Sequence, residues 1–210
     1  MQGSIANQGS IELEHSSEAV APIAASHHGE HPDLRLFGFI LFLTSESMLF
    51  LGLFVAYLTF RSVATSWPPV GTPDLEILLP GINTVILLSS SLVIHKADDA
   101  VKANDLPAMR RWFLITMAMG ITFLAGQIYE YMHLEFGLKT NLFASTFYVL
   151  TGFHGLHVMV GVILMTIVLW RSRTPGHYSS EKHFGVEAAE IYWHFVDVIW
   201  VLLFLLLYIL

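Results

Sequence analysis

A carboxylic acid lies in the middle of an apolar run near the N-terminal end of the sequence. Glu46 follows Leu43-Thr44-Ser45 and falls ten residues, or about 15 Å, into a predicted helix. A carboxylate at the centre of a membrane costs on the order of 2.5–3.5 kcal/mol on insertion scales. We therefore expect Glu46 to face the inside of a helix bundle, a water cavity or a partner subunit. A proton-holding, lipid-binding or helix-coupling function and a purely structural role are equally consistent with this position.

Two further apolar runs carry polar side chains that are expected to pair with each other. Glu130 lies near the end of one run, and His154 and His157 lie in the next. Because consecutive membrane helices run in opposite directions, Glu130 and His154 are expected at similar depth. A carboxylate–imidazole hydrogen bond is therefore predicted between them, with nearby glycines allowing close helix packing.

A stripe of polar side chains begins the last apolar run. Its members are spaced three, four and three residues apart and share one helical face: Glu187, Glu190, His194 and Asp197. A buried stripe of this kind usually marks a seam between helices that is held by hydrogen bonds. It marks a route for protons or ions less often.

The same residue types also permit a metal or haem site inside the membrane. Helix bundles that hold two iron ions place Glu and His side chains on facing helices, and His154, His157, His194 and Asp197 supply comparable groups. The alternative is hydrogen bonding between neighbouring helices, which intramembrane histidines readily form. Both interpretations follow from the residues, and the second is favoured.

Composition limits the class of protein. The chain has 210 residues, of which 54% are hydrophobic and 13% are charged, against about 25% charged in an ordinary soluble domain. With a mean hydropathy of +0.61, this excludes a soluble enzyme, a nucleic-acid binder and a disordered chain. The absence of cysteine excludes iron–sulfur clusters and thiolate-bound copper or zinc held by this chain alone. The composition indicates an integral membrane protein.

Five apolar stretches are each long enough to cross about 30 Å of hydrocarbon as a helix. They are predicted at 36–60, 77–95, 112–132, 143–170 and 191–210. Because only helices and closed barrels satisfy their backbone groups in lipid, these continuous runs predict an all-α fold. The expected architecture is one transmembrane domain of five helices at 34–210, preceded by a mobile polar tail at 1–33.

The distribution of basic residues predicts the orientation in the membrane. Eight of the ten Lys and Arg residues fall in the tail and in the second and fourth loops, and only Arg61 and Lys139 lie on the opposite side. Cytoplasmic loops carry this excess, so the N-terminus is predicted in the cytoplasm and the C-terminus outside. Arg171 and Arg173, just before His177 in the fourth loop, suit lipid phosphates, although ordinary positive-inside topology also explains these arginines.

Motifs spread over residues 33–210 make the sequence resemble subunit III of the haem–copper cytochrome c oxidases. The matching stretches occur in the family's order at 38–46, 67–69, 79–84, 87–90, 127–131, 151–157, 183–189 and 192–197. The chain lacks the first two helices of the family's seven-helix form and resembles its shorter, five-helix bacterial type. The ubiquinol oxidase branch has a similar five-helix subunit and remains the alternative.

The resemblance implies a subunit of an aerobic terminal oxidase that passes electrons from cytochrome c to oxygen and pumps protons. It implies that this subunit has no catalytic residue, redox centre or metal of its own, because subunits I and II carry the haem and copper. Packing on subunit I, structural phospholipids, and contact with cytochrome c only through the complex are also implied. The expected location is a bacterial plasma membrane or an internal respiratory or thylakoid membrane.

Individual residues acquire roles from the same resemblance. Glu46 matches the family's intramembrane Glu, and His177, with Arg171 or Arg173, falls where the family binds lipid headgroups. The remaining intramembrane acids and histidines are expected to support proton uptake or the structure. Two alternatives of another class remain, an intramembrane His/carboxylate metalloprotein and a small proton or ion transporter.

Overall fold

The computed structural model describes residues 34–73 and 75–210. All regular structure in this part of the chain is helical. The five long helices are α1 Leu34–Val63, α2 Leu78–Lys102, α3 Leu106–His133, α4 Leu142–Arg171 and α5 Phe184–Phe204, which ends in a π-helical turn at Leu205–Ile209. Each is long and apolar enough to span a membrane, so the predicted five-helix bundle is confirmed. The predicted mobile tail lies outside the described residues.

Polar residues extend three helices beyond the apolar runs that mark them in the sequence. α2 continues past residue 95 to Lys102, α3 begins at Leu106 instead of 112, and α5 begins at Phe184 instead of 191. The start of α3 is capped by Asp105, whose carboxylate accepts a hydrogen bond from the Ala108 N–H at 3.0 Å. An apolar run in the sequence marks only the part of a helix that lies in lipid. The helix itself continues through polar residues until it is capped.

The two ends of the bundle differ in charge. The α2–α3 and α4–α5 loops lie at one end, which we call the basic end, and the α1–α2 and α3–α4 loops lie at the other, the opposite end.

α5 is the central helix of the bundle. Half of the residues in its most apolar stretch are buried, whereas only 6% of those in the corresponding stretch of α1 are buried. α1 is therefore a peripheral helix within this chain.

Trp193 fills the space between α3, α4 and α5. Its indole is fully buried, and its N–H donates to the Ser90 hydroxyl at 2.8 Å. A Cβ at Gly120 would lie 2.5 Å from the ring, and one at Gly161 would lie 2.7 Å from it. Both positions therefore require glycine for α3 and α4 to approach this ring.

α1 is fastened to α5 at the opposite end by polar contacts. The Tyr57 hydroxyl donates to the Leu206 carbonyl at 3.3 Å, and the Arg61 guanidinium donates to the Leu210 carbonyl at 2.7 Å. Trp67, in the proline-rich α1–α2 loop, donates to the Tyr57 hydroxyl at 2.9 Å. This loop thus covers the junction between the two helices.

Candidate functional sites within the membrane and at its surface

Glu46 of α1 faces His157 of α4 inside the bundle. The Glu46 Oε2 and His157 Nε2 atoms lie 3.1 Å apart, and the two side chains are 20% and 8% exposed. The imidazole ring is packed against Phe50 and Phe153, with ring centroids 4.8 and 4.7 Å away. These aromatic contacts fix the ring opposite the carboxyl group.

The second nitrogen of His157 determines how many protons the pair holds. Nδ1 lies 2.8 Å from the Phe153 carbonyl oxygen, and because a carbonyl only accepts, Nδ1 is assigned as the donor. A hydrogen bond between Nε2 and Glu46 then requires one further proton, carried by either the imidazole or the carboxyl group. The pair is therefore a site for a single shared proton, in line with the chemistry of the two groups.

Glu130 is hydrogen bonded to different partners from those predicted. Tyr208 donates to its Oε1 and the Gln127 amide donates to its Oε2, both at 2.9 Å. The predicted bond to His154 is wrong, because neither ring nitrogen of His154 has a hydrogen-bond partner among the described residues. Glu130 lies three residues from the end of α3, whereas His154 lies twelve residues into α4. Their depths therefore differ by about 14 Å.

His154 occupies a fully buried aromatic site in place of the predicted carboxylate contact. Its ring lies 4.9 Å from that of Trp200 and 5.7 Å from that of Phe123. These contacts place the imidazole near the middle of α5, where ring packing holds it.

The predicted stripe on α5 is bonded to α2. His95 Nδ1 lies 2.8 Å from Glu190 Oε1, which lies 3.5 Å from His194 Nε2. His194 Nδ1 lies 3.1 Å from the Ser91 hydroxyl, and that hydroxyl donates to Asp197. We call these five side chains the α2–α5 polar chain. Glu187, at the start of the stripe, is half-buried.

His95 and Ser91 are the members of the α2–α5 polar chain that sequence reasoning missed. Ser91 belongs to a run of three serines, for which bonding back to the same helix is the ordinary expectation. Ser89 does so, with its hydroxyl donating to the Val85 carbonyl at 2.6 Å. One feature of the sequence could have identified them: Ser91 and His95 are four residues apart and therefore lie on the same face of the helix.

A surface cleft of about 360 Å³ opens at the basic end. All three side chains predicted to bind lipid, Arg171, Arg173 and His177, line this cleft. Trp170 and Thr174 complete its walls. Arg110 of α3 fixes the adjoining turn, because its guanidinium donates to the Ser172 hydroxyl at 3.0 Å and to the Ser172 carbonyl. Two cations, an indole and a histidine are thus presented together at the end of α4.

The loop beyond this cleft is anchored by Tyr178. Its ring lies 4.7 Å from that of His177, and a Cβ at Gly185 would lie 2.6 Å from its hydroxyl. Burial raises the pKa of Tyr178 above its ordinary value. The tyrosine is therefore neutral at physiological pH, and the positive charge of the cleft is not offset by it.

A family comparison resolves which protein presents these sites. The family model described as cytochrome c oxidase subunit III matches residues 22–210. This chain belongs to that family. A cytochrome c oxidase subunit 3 of Synechocystis sp. is 66% identical over 187 residues, which cover 89% of this chain and 80% of the relative. One of Thermostichus vulcanus is 55% identical over 210 residues, which cover 100% and 98%.

The likeness extends to animal members of the cytochrome c oxidase subunit III family. The cytochrome c oxidase subunit 3 of Loxodonta africana is 40% identical over 178 residues, which cover 82% of this chain and 68% of the relative. Family membership makes this chain part of an oxidoreductase complex with other oxidase subunits, and its five apolar helices make it a multi-pass membrane protein.

Three of the four candidate metal ligands of this subunit III chain are engaged with carboxyl or hydroxyl groups, and the fourth, His154, packs against aromatic rings. His157 contacts Glu46, and His194 lies between Glu190 and Ser91. Within 34–73 and 75–210, no group of three or more His, Asp or Glu side chains is arranged to hold a metal ion.

Proposed function

We propose that this chain is the supporting subunit III of an aerobic terminal cytochrome c oxidase and carries no redox centre of its own. Subunits I and II would hold the haem and copper, pass electrons from cytochrome c to oxygen and pump protons. The observation that carries the proposal is the Glu46–His157 pair. In it an intramembrane histidine, a candidate metal ligand, contacts an intramembrane carboxyl group. The relatives' names, cytochrome c oxidase subunit 3, favour cytochrome c over ubiquinol as the electron donor.

Packing on subunit I is supported by the exposure of α1. Only Phe50 and Tyr57 of this 30-residue helix are buried within the chain. An apolar helix with so little internal contact has most of its surface available to lipid and to a neighbouring subunit. We propose that the bundle docks on subunit I within the membrane and contacts cytochrome c only through the complex.

Phospholipid binding is supported by the cleft at the basic end. Arg171 and Arg173 supply guanidinium groups that form paired hydrogen bonds with phosphate oxygens, and His177 adds a further donor. Trp170 offers an exposed indole of the type that lies at headgroup level. We propose that a structural phospholipid binds here by its phosphate.

Support for proton uptake rests on the intramembrane acids and histidines. Glu46 and His157 hold one proton between them, and Glu130 is buried against Tyr208. Glu190 contacts His194, which is linked to Asp197 through the Ser91 hydroxyl. We propose that these groups, together with His154 and Glu187, maintain proton uptake and structural integrity during turnover. The basic end would face the cytoplasm of a bacterial plasma membrane or of an internal respiratory or thylakoid membrane.

The test is a purification in mild detergent of oxidase with and without this chain. We expect subunits I and II to co-purify with the chain, and the haem and copper content per subunit I to be the same in both preparations. Oxygen consumption is measured with reduced cytochrome c and with ubiquinol, and oxidation of cytochrome c is expected. A loss of stoichiometric metal with the chain would overturn the proposal in favour of a metalloprotein, and activity with ubiquinol alone would assign the quinol branch.

A further inference from the structure

The α2–α5 polar chain is continuous from one residue to the next. Successive atoms are separated by 2.8 Å at His95–Glu190, by 3.5 Å at Glu190–His194 and by 3.1 Å at His194–Ser91, and Ser91 is hydrogen bonded to Asp197. Every member can both gain and lose a proton at the atoms that make these contacts. Such a series differs from a structural seam, in which amides and backbone groups would serve equally well.

The polar chain runs from the basic end to the middle of the membrane. His95 lies about 10 Å from the end of α2 at Lys102, and its side chain is 62% exposed. Asp197 is thirteen residues from the start of α5 and twelve from Ile209, which places it about 20 Å from the basic end. The series thus connects the most accessible member to a buried carboxyl group at half depth.

Asp197 ends the polar chain with an unused oxygen. Its side chain is buried, Ser91 occupies Oδ2, and Oδ1 has no hydrogen-bond partner among the described residues. A buried carboxylate with a free oxygen is costly in hydrocarbon, whereas a protonated carboxyl group reduces that cost. The geometry therefore favours a proton on Asp197 that is supplied through Ser91.

We propose that the α2–α5 polar chain is a proton wire that exchanges a proton on Asp197 with water at the basic end. This goes beyond the proposed supporting role, because it assigns a route within this chain and a mid-membrane carboxyl group that the route loads. The proton wire rests on the proposed function in one respect, which is that its proton exchange is measured in the oxidase complex.

Each transfer breaks one bond to hydrogen and forms another. His95 takes a proton from water at Nε2 and releases its Nδ1 proton to Glu190 Oε1. Glu190 passes a proton to Nε2 of His194, and His194 gives its Nδ1 proton to the Ser91 oxygen. Ser91 transfers its own hydroxyl proton to Asp197 Oδ2, so one proton enters and one carboxyl group is protonated. The starting bonds are restored when each imidazole returns to the tautomer with its proton on Nδ1 and the Ser91 hydroxyl rotates back toward Asp197, and no oxidant or reductant is needed.

Charges around the entrance favour protonation of His95. Asp99 Oδ2 lies 4.0 Å from His95 Nε2, and Glu190 lies on the other side of the ring. Of the two lysines on α2, Lys102 is paired with Asp98 at 2.5 Å, and the Lys96 ammonium lies over the Trp112 ring, 4.8 Å from its centroid. Two carboxylates therefore flank the imidazole that collects the proton.

The test measures hydrogen–deuterium exchange of the Asp197 carboxyl group by infrared spectroscopy of the resting oxidase complex. Asp197→Asn is expected to remove one carboxylic acid C=O band, which identifies that group. In Ser91→Ala and His95→Gln, exchange of this band after transfer to heavy water is expected to slow by about a hundredfold or more, the low end of what a positioned proton-transfer group contributes. Gln retains a hydrogen-bonding side chain toward Glu190 but does not relay protons as imidazole does.

Ser89→Ala is the matched control, because that hydroxyl bonds to its own helix and its loss should leave the exchange rate unchanged. The subunit content and thermal midpoint of each variant complex establish that the fold is intact. Wild-type exchange in both wire variants, or no band removed by Asp197→Asn, would overturn the wire. Slowing by Ser91→Ala alone would overturn the entrance at His95. Failure of the chain to purify with oxidase subunits would overturn the proposed function, and the exchange would then be measured on the chain as purified.

Discussion

A methyl group added at Gly161 would collide with the ring of Trp193. The new Cβ would lie 2.7 Å from Cε3 and 2.8 Å from Cζ3, about 1 Å inside the ordinary carbon–carbon contact. The ring has little room to move away, because α3 passes its far edge so closely that a Cβ at Gly120 would lie 2.5 Å from it, and the indole N–H is bonded to the buried Ser90 hydroxyl. We expect Gly161→Ala to destabilise the bundle by about 1–3 kcal/mol, as overpacking of a filled core does.

Gly155→Ala provides a matched control on the same helix. Its Cβ would lie 3.7 Å from Leu124, an ordinary contact, and alanine favours the helix by up to about 1 kcal/mol. The assay is the thermal midpoint at which the detergent-purified complex loses this subunit, followed by gel filtration. We expect Gly161→Ala to lower the midpoint by about 2–12 °C, at 2–4 °C per kcal/mol for a chain of this size, and Gly155→Ala not to lower it. Equal midpoints for the two variants would refute the packing argument.

Three further variants test other parts of the molecule. Glu46→Gln removes the shared proton site with His157, so initial oxygen consumption is expected to stay near wild type while activity is lost faster during turnover. His177→Ala removes one donor from the basic cleft, so phospholipid retained per complex, measured by phosphorus analysis, is expected to fall while initial activity is kept. Tyr208→Phe leaves Glu130 Oε1 without its donor, which is expected to cost about 1–3 kcal/mol, measured by the same subunit-loss assay.

These variants have their own controls. An immediate and complete block of electron transfer in Glu46→Gln would contradict the supporting role. For the cleft, Lys139→Ala removes a cation at the opposite end and should retain lipid, and equal lipid loss in both variants would count against a specific site. Tyr129→Phe changes an exposed tyrosine of α3, and a midpoint shift as large as that of Tyr208→Phe would show that the Glu130 bond is not responsible.

Sequence reasoning found the membrane helices and the acid at Glu46, but it misplaced other polar partners: Glu130 and His154, expected at similar depth, differ in depth by about 14 Å. The five helices were predictable because lipid demands long apolar runs, and Glu46 stands out in such a run because a charge there is costly. The partner of Glu130 was missed because the π-helical turn that carries Tyr208 has no hydropathy signal. Ser91 was missed for the related reason that a serine able to bond to its own helix gives no sign of bonding to another.

The Glu46–His157 pair also sets the order of events while the chain is being made. The two residues are 111 positions apart, so at 5–20 residues per second Glu46 is synthesised roughly 6–22 s before His157. During that interval α1 has neither this partner nor the α5 carbonyls that later bind Tyr57 and Arg61. α1 therefore stays in the membrane without its polar partners until α4 supplies His157 and the residues after it supply the carbonyls of Leu206 and Leu210.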